Sequence, residues 1–135
     1  MIKILLVTSE KESFSEFAGV LKQKDDVELS RAATGQEALE VLSESPVDLV
    51  IVNEKIGDMT GIEFMKKLLM INPMINCAAV SSLAHEEFHE ASEGLGVLMQ
   101  LPVSSAGFEA EDLLKRLKHL KDLAAGIKID VNTNE

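Results

Sequence analysis

The chain of 135 residues is 46% hydrophobic and 27% charged, values typical of one globular domain that buries its own core. Its formal net charge of -10 repels nucleic acid phosphates and anionic membranes, so no nucleic acid or membrane partner is expected. The single cysteine, Cys77, excludes a disulfide within the chain, and the apolar segment around it predicts a buried thiol. The apolar run at the amino terminus is too short for a secretion signal or a membrane span, so we expect a cytoplasmic protein.

Short apolar runs alternate along the chain with segments of helical periodicity. The apolar runs predict strands at Ile2–Val7, Val27–Ala32, Asp48–Asn53, Cys77–Val80 and Val97–Leu101. The periodic segments predict helices over Glu10–Lys24, from Thr34 onward, and over Thr60–Leu69, Ala84–Gly94 and Phe108–Leu123. The letters TGQE give the second helix the form of a capping box, in which Thr34 and Glu37 bond to each other's backbone.

This regular alternation, with connections long enough for helical crossovers, requires a mainly parallel sheet that is covered on both faces. Right-handed crossovers leave few topologies, of which the flavodoxin-like strand order 2-1-3-4-5 is the expected one. We therefore predict an α/β three-layer sandwich, a five-stranded parallel sheet with five helices. Residues 1–123 form this domain, and residues 124–135, which lack periodicity, form a tail or a shortened linker.

In this strand order the carboxyl ends of strands one, three and four face one crevice, where open α/β sheets place their ligand chemistry. The third strand is the most informative, because it is a short apolar run that ends on the polar residue Asn53. The other two strands are followed by hydroxyl side chains, namely Thr8, Ser9, Ser81 and Ser82. Asn53 therefore decides what chemistry the crevice can perform.

Four segments of the chain resemble the receiver domain of two-component response regulators. KILLVTSE is similar to that family's first strand and paired acids, and DLVIVNEKIGDMTGIEFMKKL is similar to its third strand, acceptor loop and third helix. AAVSS resembles its fourth strand with the switch hydroxyl, and GVLMQLPV resembles its fifth strand, which ends in a Lys-Pro pair. The resemblance extends over residues 1 to 122.

The resemblance implies a phosphorylation site. In the family, an aspartate after strand three accepts the phosphoryl group, and two acids after strand one help it to hold Mg²⁺. A lysine on strand five contacts the phosphoryl group, a Ser or Thr after strand four responds to it, and an aromatic residue of strand five completes the switch. At the corresponding positions this sequence has Asn53 for the acceptor, and Thr8 and Ser9 for the two acids. It has Leu101 for the lysine, Ser81 for the hydroxyl and Leu98 for the aromatic residue. Only Ser81 keeps the family's residue type.

These departures remove the chemistry of phosphorylation. The amide of Asn53 is a poor nucleophile that cannot form an acyl phosphate, and two hydroxyls in place of the acid pair lack the carboxylates that Mg²⁺ needs. Three nearby acids, Glu10, Glu54 and Asp58, are expected to be solvated, and strand alternation points Glu54 away from Asn53. We therefore predict a degenerate pseudo-receiver without metal, cofactor or enzymatic activity, which acts in a two-component phosphorelay pathway by phosphorylation-independent protein-protein interaction.

The family implies that partners bind to helix four, strand five and helix five. Helix four is acidic in this sequence, whereas helix five carries a basic run. The candidate interface residues on the two helices are His85, Glu86, His89, Lys115, Arg116 and Lys118. Because the two charges are complementary, this surface predicts a homodimer as well as contact with a signalling partner such as a kinase or an effector.

Two alternatives stay open in the sequence. The segment from His85 to His89 matches the HExxH pattern, in which two histidines on one helical face hold Zn²⁺ and the glutamate acts as general base of a small zinc hydrolase. A catalytic zinc needs a third protein ligand, and no HxxGxxH continuation follows. The second alternative is the receiver half of a longer regulator whose output domain begins beyond Glu135, because the tail has the character of a linker.

Overall fold

The computed structural model describes residues 2–9, 15–95, 97–102 and 107–124. The strands are β1 (Ile2–Val7), β2 (Val27–Ala32), β3 (Leu49–Val52), β4 (Asn76–Val80) and β5 (Val97–Leu101). The helices are α1 (Ser15–Lys22), α2 (Gly35–Glu44), α3 (Gly61–Ile71), α4 (His85–Ala91) and α5 (Gly107–Ala124). Strands and helices thus alternate as the sequence predicts.

The strands form one parallel sheet in the order β2-β1-β3-β4-β5, which confirms the predicted topology. Register brings the carboxyl ends of the inner strands level, because Val7 pairs with Val52, and Val52 pairs with Ala79. The ladder continues one residue past β3, where the amide of Asn53 donates to the carbonyl of Val7 at 2.9 Å. Polar residues that follow these strands therefore lie at one edge of the sheet.

Two apolar clusters cover the two faces of the sheet, because successive strand residues point to opposite sides. One cluster joins the sheet to α1 and α5 and includes Ile4, Leu6, Ile51, Phe17 and Leu113. The other cluster joins the sheet to α2, α3 and α4 and includes Leu5, Val50, Phe64, Met65 and Phe88. Burial of the strands on both faces explains why they appear in the sequence as continuous apolar runs.

Helix bounds differ from the predicted ones mainly at α1 and α4. The described part of α1 starts at Ser15, and the predicted start at Glu10 lies outside the described residues. The predicted span of α4 to Gly94 was wrong, because the helix ends at Ala91 and the backbone turns at Gly94 with φ +82°. Phe88 is the buried anchor of α4, whereas Ala91 is exposed.

The predicted capping box of α2 was half wrong. The Thr34 side chain accepts from the amide of Glu37 at 3.0 Å, as expected. The Glu37 carboxylate, however, bonds to the amide of Ala33 at 2.6 Å and not to that of Thr34. Both halves of a capping box occur instead at α3, between Thr60 and Glu63.

Burial and hydropathy agree with two expectations from the sequence. Cys77 is 1% exposed, and desolvation raises the pKa of its thiol to about 12, which confirms a buried thiol that stays protonated at neutral pH. In the described part of the chain, no helix combines the length and apolar character that a membrane crossing requires. The predicted tail, apart from Ala124, lies outside the described residues.

Candidate functional site

The acceptor position is a buried, neutral hydrogen-bonded pair. Asn53 and Thr8 are only 7% and 2% exposed, and the Asn53 Nδ2 donates to the Thr8 Oγ1 at 3.0 Å. The Asn53 Oδ1 accepts from the amide of Glu54 at 2.8 Å. Because both ends of the Asn53 amide have protein partners, the pair is stable at this edge without a bound ion.

The other predicted positions of the crevice divide between surface and core. Ser9 is exposed, and Ser81 is buried at the end of β4. Leu101 is fully buried and belongs to the apolar cluster beneath α1 and α5, while its carbonyl accepts from the Ser81 amide at 3.1 Å. The position that would carry the family's lysine therefore supplies core packing, and no positive charge.

Glu54 forms a second, charged cluster beside the neutral pair. Its Oε2 accepts from the amide and the hydroxyl of Ser82, both at 2.8 Å, and the Ser81 hydroxyl lies 3.4 Å away. Its Oε1 accepts from the same Ser82 hydroxyl at 3.1 Å. The Ser82 N–H is the main cause that lowers the pKa of the Glu54 carboxyl, against an opposing effect of burial. The expectation that Glu54 is a solvated acid was wrong, because its carboxylate is held by the end of the neighbouring strand.

A cavity of about 420 Å³ lies between the segments that follow β3 and β4. Glu54 and Ser82 contribute to its lining together with apolar side chains of the core, among them Met65 and Phe88. The charged cluster is thus half-buried next to an apolar space.

The loop after β3 is closed by its own hydrogen bonds. Gly57 has φ +77°, a value that L side chains rarely adopt, and the Asp58 amide donates across it to the Ile56 carbonyl at 2.8 Å. The Asp58 carboxylate accepts from the amides of Gly35 and Gln36, at 2.8 and 3.1 Å, at the start of α2. The Gly35 N–H is the main cause of the lowered pKa of Asp58. Asp58 is exposed, as expected, and its carboxylate also ties the loop to α2.

The predicted partner surface contains a groove of about 480 Å³ between α4 and β5. His85, His89, Leu98 and Arg116 all line this groove. Leu98, at the position of the family's aromatic switch, is half-buried there, and Glu86 is exposed on α4. The four residues that line the groove share one face of the molecule.

Lys118 of α5 pairs with an acid that lies outside the groove. Its Nζ forms a salt bridge at 3.0 Å with Asp26, in the turn before β2, whereas Arg116 pairs with Asp112 at 3.4 Å. Residues two apart on a helix differ by about 200° in direction, so Arg116 and Lys118 point to different sides. Lys115 is exposed. The basic run is therefore divided, and Arg116 is its member beside α4.

The HExxH alternative has no third zinc ligand in the described part of the chain. His85 and His89 are exposed on α4, near Glu93 in the lining of the groove. Among residues 2–9, 15–95, 97–102 and 107–124, no three His, Cys, Asp or Glu side chains come together to hold a metal ion. A zinc hydrolase needs such a set of ligands.

The chain is similar in sequence to known proteins. The model of the response regulator receiver domain matches residues 4–119. Sporulation initiation phosphotransferase F of Bacillus subtilis (strain 168) is 24% identical over 117 residues, which cover 87% of this chain and 94% of that protein. The uncharacterized transcriptional regulatory protein YhcZ of the same organism is 37% identical over 65 residues, which cover 47% of this chain and 30% of that protein.

Solved structures agree in fold. The chemotaxis response regulator CheY4 of Vibrio cholerae superposes with a TM-score of 0.77 at 22% identity, covering 87% of this chain and 98% of that one. NtrX from Brucella abortus superposes with a TM-score of 0.80 at 16% identity, covering 94% of this chain and 29% of that one. Taken with the fold and the family match, these similarities show that the chain belongs to the response regulator receiver domain family, the signalling modules of two-component systems.

Proposed function

We propose that this receiver domain signals without phosphorylation, by binding a signalling protein such as a kinase or an effector. The observation that carries the proposal is the buried Asn53–Thr8 hydrogen bond of 3.0 Å at the acceptor position. An amide nitrogen that already donates to a hydroxyl offers no carboxylate oxygen to attack phosphorus, so an acyl phosphate cannot form there.

The surroundings of Asn53 support the same conclusion. Mg²⁺ is usually held by one or two carboxylates, and Thr8 and Ser9 supply hydroxyls. Leu101 is packed in the core, so it cannot neutralise the charge of a phosphoryl group. The nearby carboxylate of Glu54 is already bonded to Ser81 and Ser82, and as an anion it would repel a phosphoryl group.

The test is a titration of the protein with Mg²⁺ and beryllofluoride, a mimic of the phosphoryl group, followed by amide NMR. We expect no saturable shifts at Thr8, Ser9, Asn53 or Ser81, because the pocket lacks the carboxylates that bind the metal. Separate titrations with Mg²⁺ alone and fluoride alone control for general ionic effects. Saturable shifts confined to these residues in the combined titration would contradict the proposal.

We propose the face formed by α4, β5 and α5 as the partner surface. β5 lies at an edge of the sheet, and its residues Val97–Gln100 are half-buried rather than fully covered. The groove between α4 and β5 joins apolar Leu98 to the exposed histidines of α4. A surface that combines an apolar floor with a charged rim is the usual composition of a protein interface.

A homodimer through the same face is a second candidate, favoured by the position of Arg116 beside the acidic helix α4. Sedimentation velocity at increasing protein concentration tests it. We expect a concentration-dependent dimer that the substitution Arg116→Glu weakens, because the substitution places like charges on both sides of the interface. The matched control is Lys118→Glu, on the other flank of α5, which should leave the dimer intact. A monomer at every concentration would exclude the dimer and leave a different partner for this face.

A further inference from the structure

The turn between β4 and α4, residues 81–84, binds the carboxylate of Glu54, an anion that is part of the chain itself. Ser82 presents its N–H and its hydroxyl to the Glu54 Oε2 at 2.8 Å each, and Ser81 presents its hydroxyl to the same oxygen at 3.4 Å. Three donors from two consecutive residues thus converge on one carboxylate oxygen. Convergence of this kind is how proteins bind anionic groups.

No salt bridge joins a cation to this carboxylate in the described part of the chain, and the neighbouring Lys55 adds only a smaller Coulombic attraction. The salt bridges there join Lys24 to Glu111, Arg116 to Asp112 and Lys118 to Asp26, and none of them includes Glu54. The charge of Glu54 is therefore balanced mainly by the dipoles of the turn. The strength of that contact depends on the turn keeping its present conformation.

The same turn immediately precedes α4. Ala84 is the residue before the helix, and it offers no side-chain hydrogen bond to the first turn. The Leu83 carbonyl accepts from the Gln100 side chain of β5 at 3.0 Å, and the Leu83 amide donates to the Ser81 hydroxyl at 3.1 Å. The turn therefore connects Glu54 on one side to β5 on the other, and it leads directly into the proposed partner surface.

We propose that Glu54 is a permanent internal substitute for the phosphoryl group, and that its carboxylate holds the β4–α4 turn and helix α4 in one fixed conformation. In the family that the chain resembles, the hydroxyl after strand four responds to a transferable anion. Here the Ser81 hydroxyl lies beside an anion that is covalently part of the neighbouring strand end. The inference rests on the proposed function. It adds that the partner surface keeps one conformation without any input signal.

The test compares amide hydrogen exchange and amide NMR spectra of the wild type with those of Glu54→Ala and Glu54→Gln. In Glu54→Ala we expect the Ser82 amide to exchange about tenfold faster or more, because its hydrogen bond to a charged acceptor is lost. We also expect shifts at Leu83, Gln100 and along His85–Ala91, since the turn is released. Glu54→Gln keeps one acceptor oxygen without the charge, so its changes should be intermediate.

Glu40→Gln is the matched control, because Glu40 is exposed on α2 and the same chemical change there should leave Ser82 and α4 unaffected. Protection of the β1 amides reports whether each variant is folded, and Glu54→Gln decides the question if Glu54→Ala does not fold. The proposal would be overturned by a Ser82 amide that is unprotected in the wild type. It would equally be overturned by Glu54 variants whose shifts stay within residues 53–55.

These outcomes are separable from those of the proposed function, because the exchange experiment contains neither Mg²⁺ nor beryllofluoride. Saturable binding of beryllofluoride together with a released turn in Glu54→Ala would reject phosphorylation independence and retain the internal anion. A titration without saturable shifts, together with an α4 that is unaffected in Glu54→Ala, would retain phosphorylation independence and reject the internal anion.

Discussion

Two clusters at the same edge of the sheet differ in the way they handle charge. The Asn53–Thr8 pair is buried and neutral, and its two side chains satisfy each other. The Glu54 cluster begins one residue later in the chain and is half-buried. Its ionised carboxylate accepts hydrogen bonds from Ser81 and Ser82. A carboxylate is tolerated at residue 54 because donors and water both reach it, whereas residue 53 faces a hydroxyl and the core.

The comparison predicts that a charge introduced into the neutral pair lowers the free energy of unfolding more than any other change considered. Asn53→Asp should lower the free energy of unfolding at pH 7 by about 2 to 3 kcal/mol, because a buried carboxylate lacks a compensating cation. Burial raises the pKa of the new carboxyl in the folded state, so the folded protein binds more protons than the unfolded chain. The destabilisation should therefore grow as the pH rises from about 4 to 7.

Urea denaturation of this variant and the wild type at several pH values measures the effect. Gln23→Glu is the control, since it makes the same change from amide to carboxylate at an exposed site and should cost less than about 0.5 kcal/mol. Equal stability of Asn53→Asp and the wild type at pH 7 would show that the acceptor site can accommodate charge.

Removal of the acceptor of the Asn53 hydrogen bond should have the next largest effect. Thr8→Val keeps the shape of the side chain but leaves the Asn53 Nδ2 without its partner at 3.0 Å, which should cost about 1 to 2 kcal/mol. A double-mutant cycle with Asn53→Leu measures the coupling. If the pair acts as a unit, the double variant should be about 1 kcal/mol more stable than the sum of the single effects. Strict additivity would mean that the pair does not stabilise the edge.

In the charged cluster, the ionised carboxylate should stabilise the folded protein instead of destabilising it. Hydrogen bonds from Ser82 lower the pKa of Glu54 in the folded state, so the stability they contribute is present above the ordinary pKa of a glutamate and is lost as the pH falls through the folded value. Glu54→Gln should therefore be less stable than the wild type by about 1 kcal/mol at pH 7. The difference should shrink toward pH 3.

Thermal denaturation from pH 7 to pH 3 measures this trend, with Glu40→Gln as the exposed control. A deficit that stays constant over the whole range would mean that the charge of Glu54 contributes nothing to the cluster.

Asp58 should give the smallest effect, because its carboxylate is exposed although it binds two amides of α2. Asp58→Asn keeps one acceptor oxygen, so we expect a decrease in melting temperature smaller than that of Glu54→Gln. The Gly35 N–H lowers the pKa of Asp58 in the folded protein. The Gly35 amide shift of the wild type should therefore titrate below the ordinary range of an aspartate, and this titration should vanish in Asp58→Asn.

Local apolar patterns were sufficient to predict the fold, since five buried strands and their crossover helices leave one expected strand order. The Glu54 cluster was missed because the rule of strand alternation was applied past the last residue of β3, Val52, where the pleat no longer directs side chains. The strand order alone places Glu54 beside Ser81 and Ser82. Considering the ends of neighbouring strands together would have revealed the contact.

The division of α5 was also accessible in the sequence. Each helical residue is rotated by about 100° from the one before it, and this rotation alone separates Arg116 from Lys118. The salt bridge between Lys118 and Asp26 was not accessible, because it depends on how closely α5 packs against the turn before β2. Side-chain pairing between elements distant in sequence is fixed by packing and not by local pattern.

The neutral pair also constrains how the domain can evolve. Under the proposed function, a return to phosphorylation would require acids at residues 8, 9 and 53 and a lysine at 101, and three of these four positions are buried in the structure. A first acid or a first lysine would enter without its counter-charge and would lower stability. Under the proposed function, each single step back would therefore be selected against unless another substitution compensated it, and the residue change at the acceptor position would behave as an evolutionary ratchet.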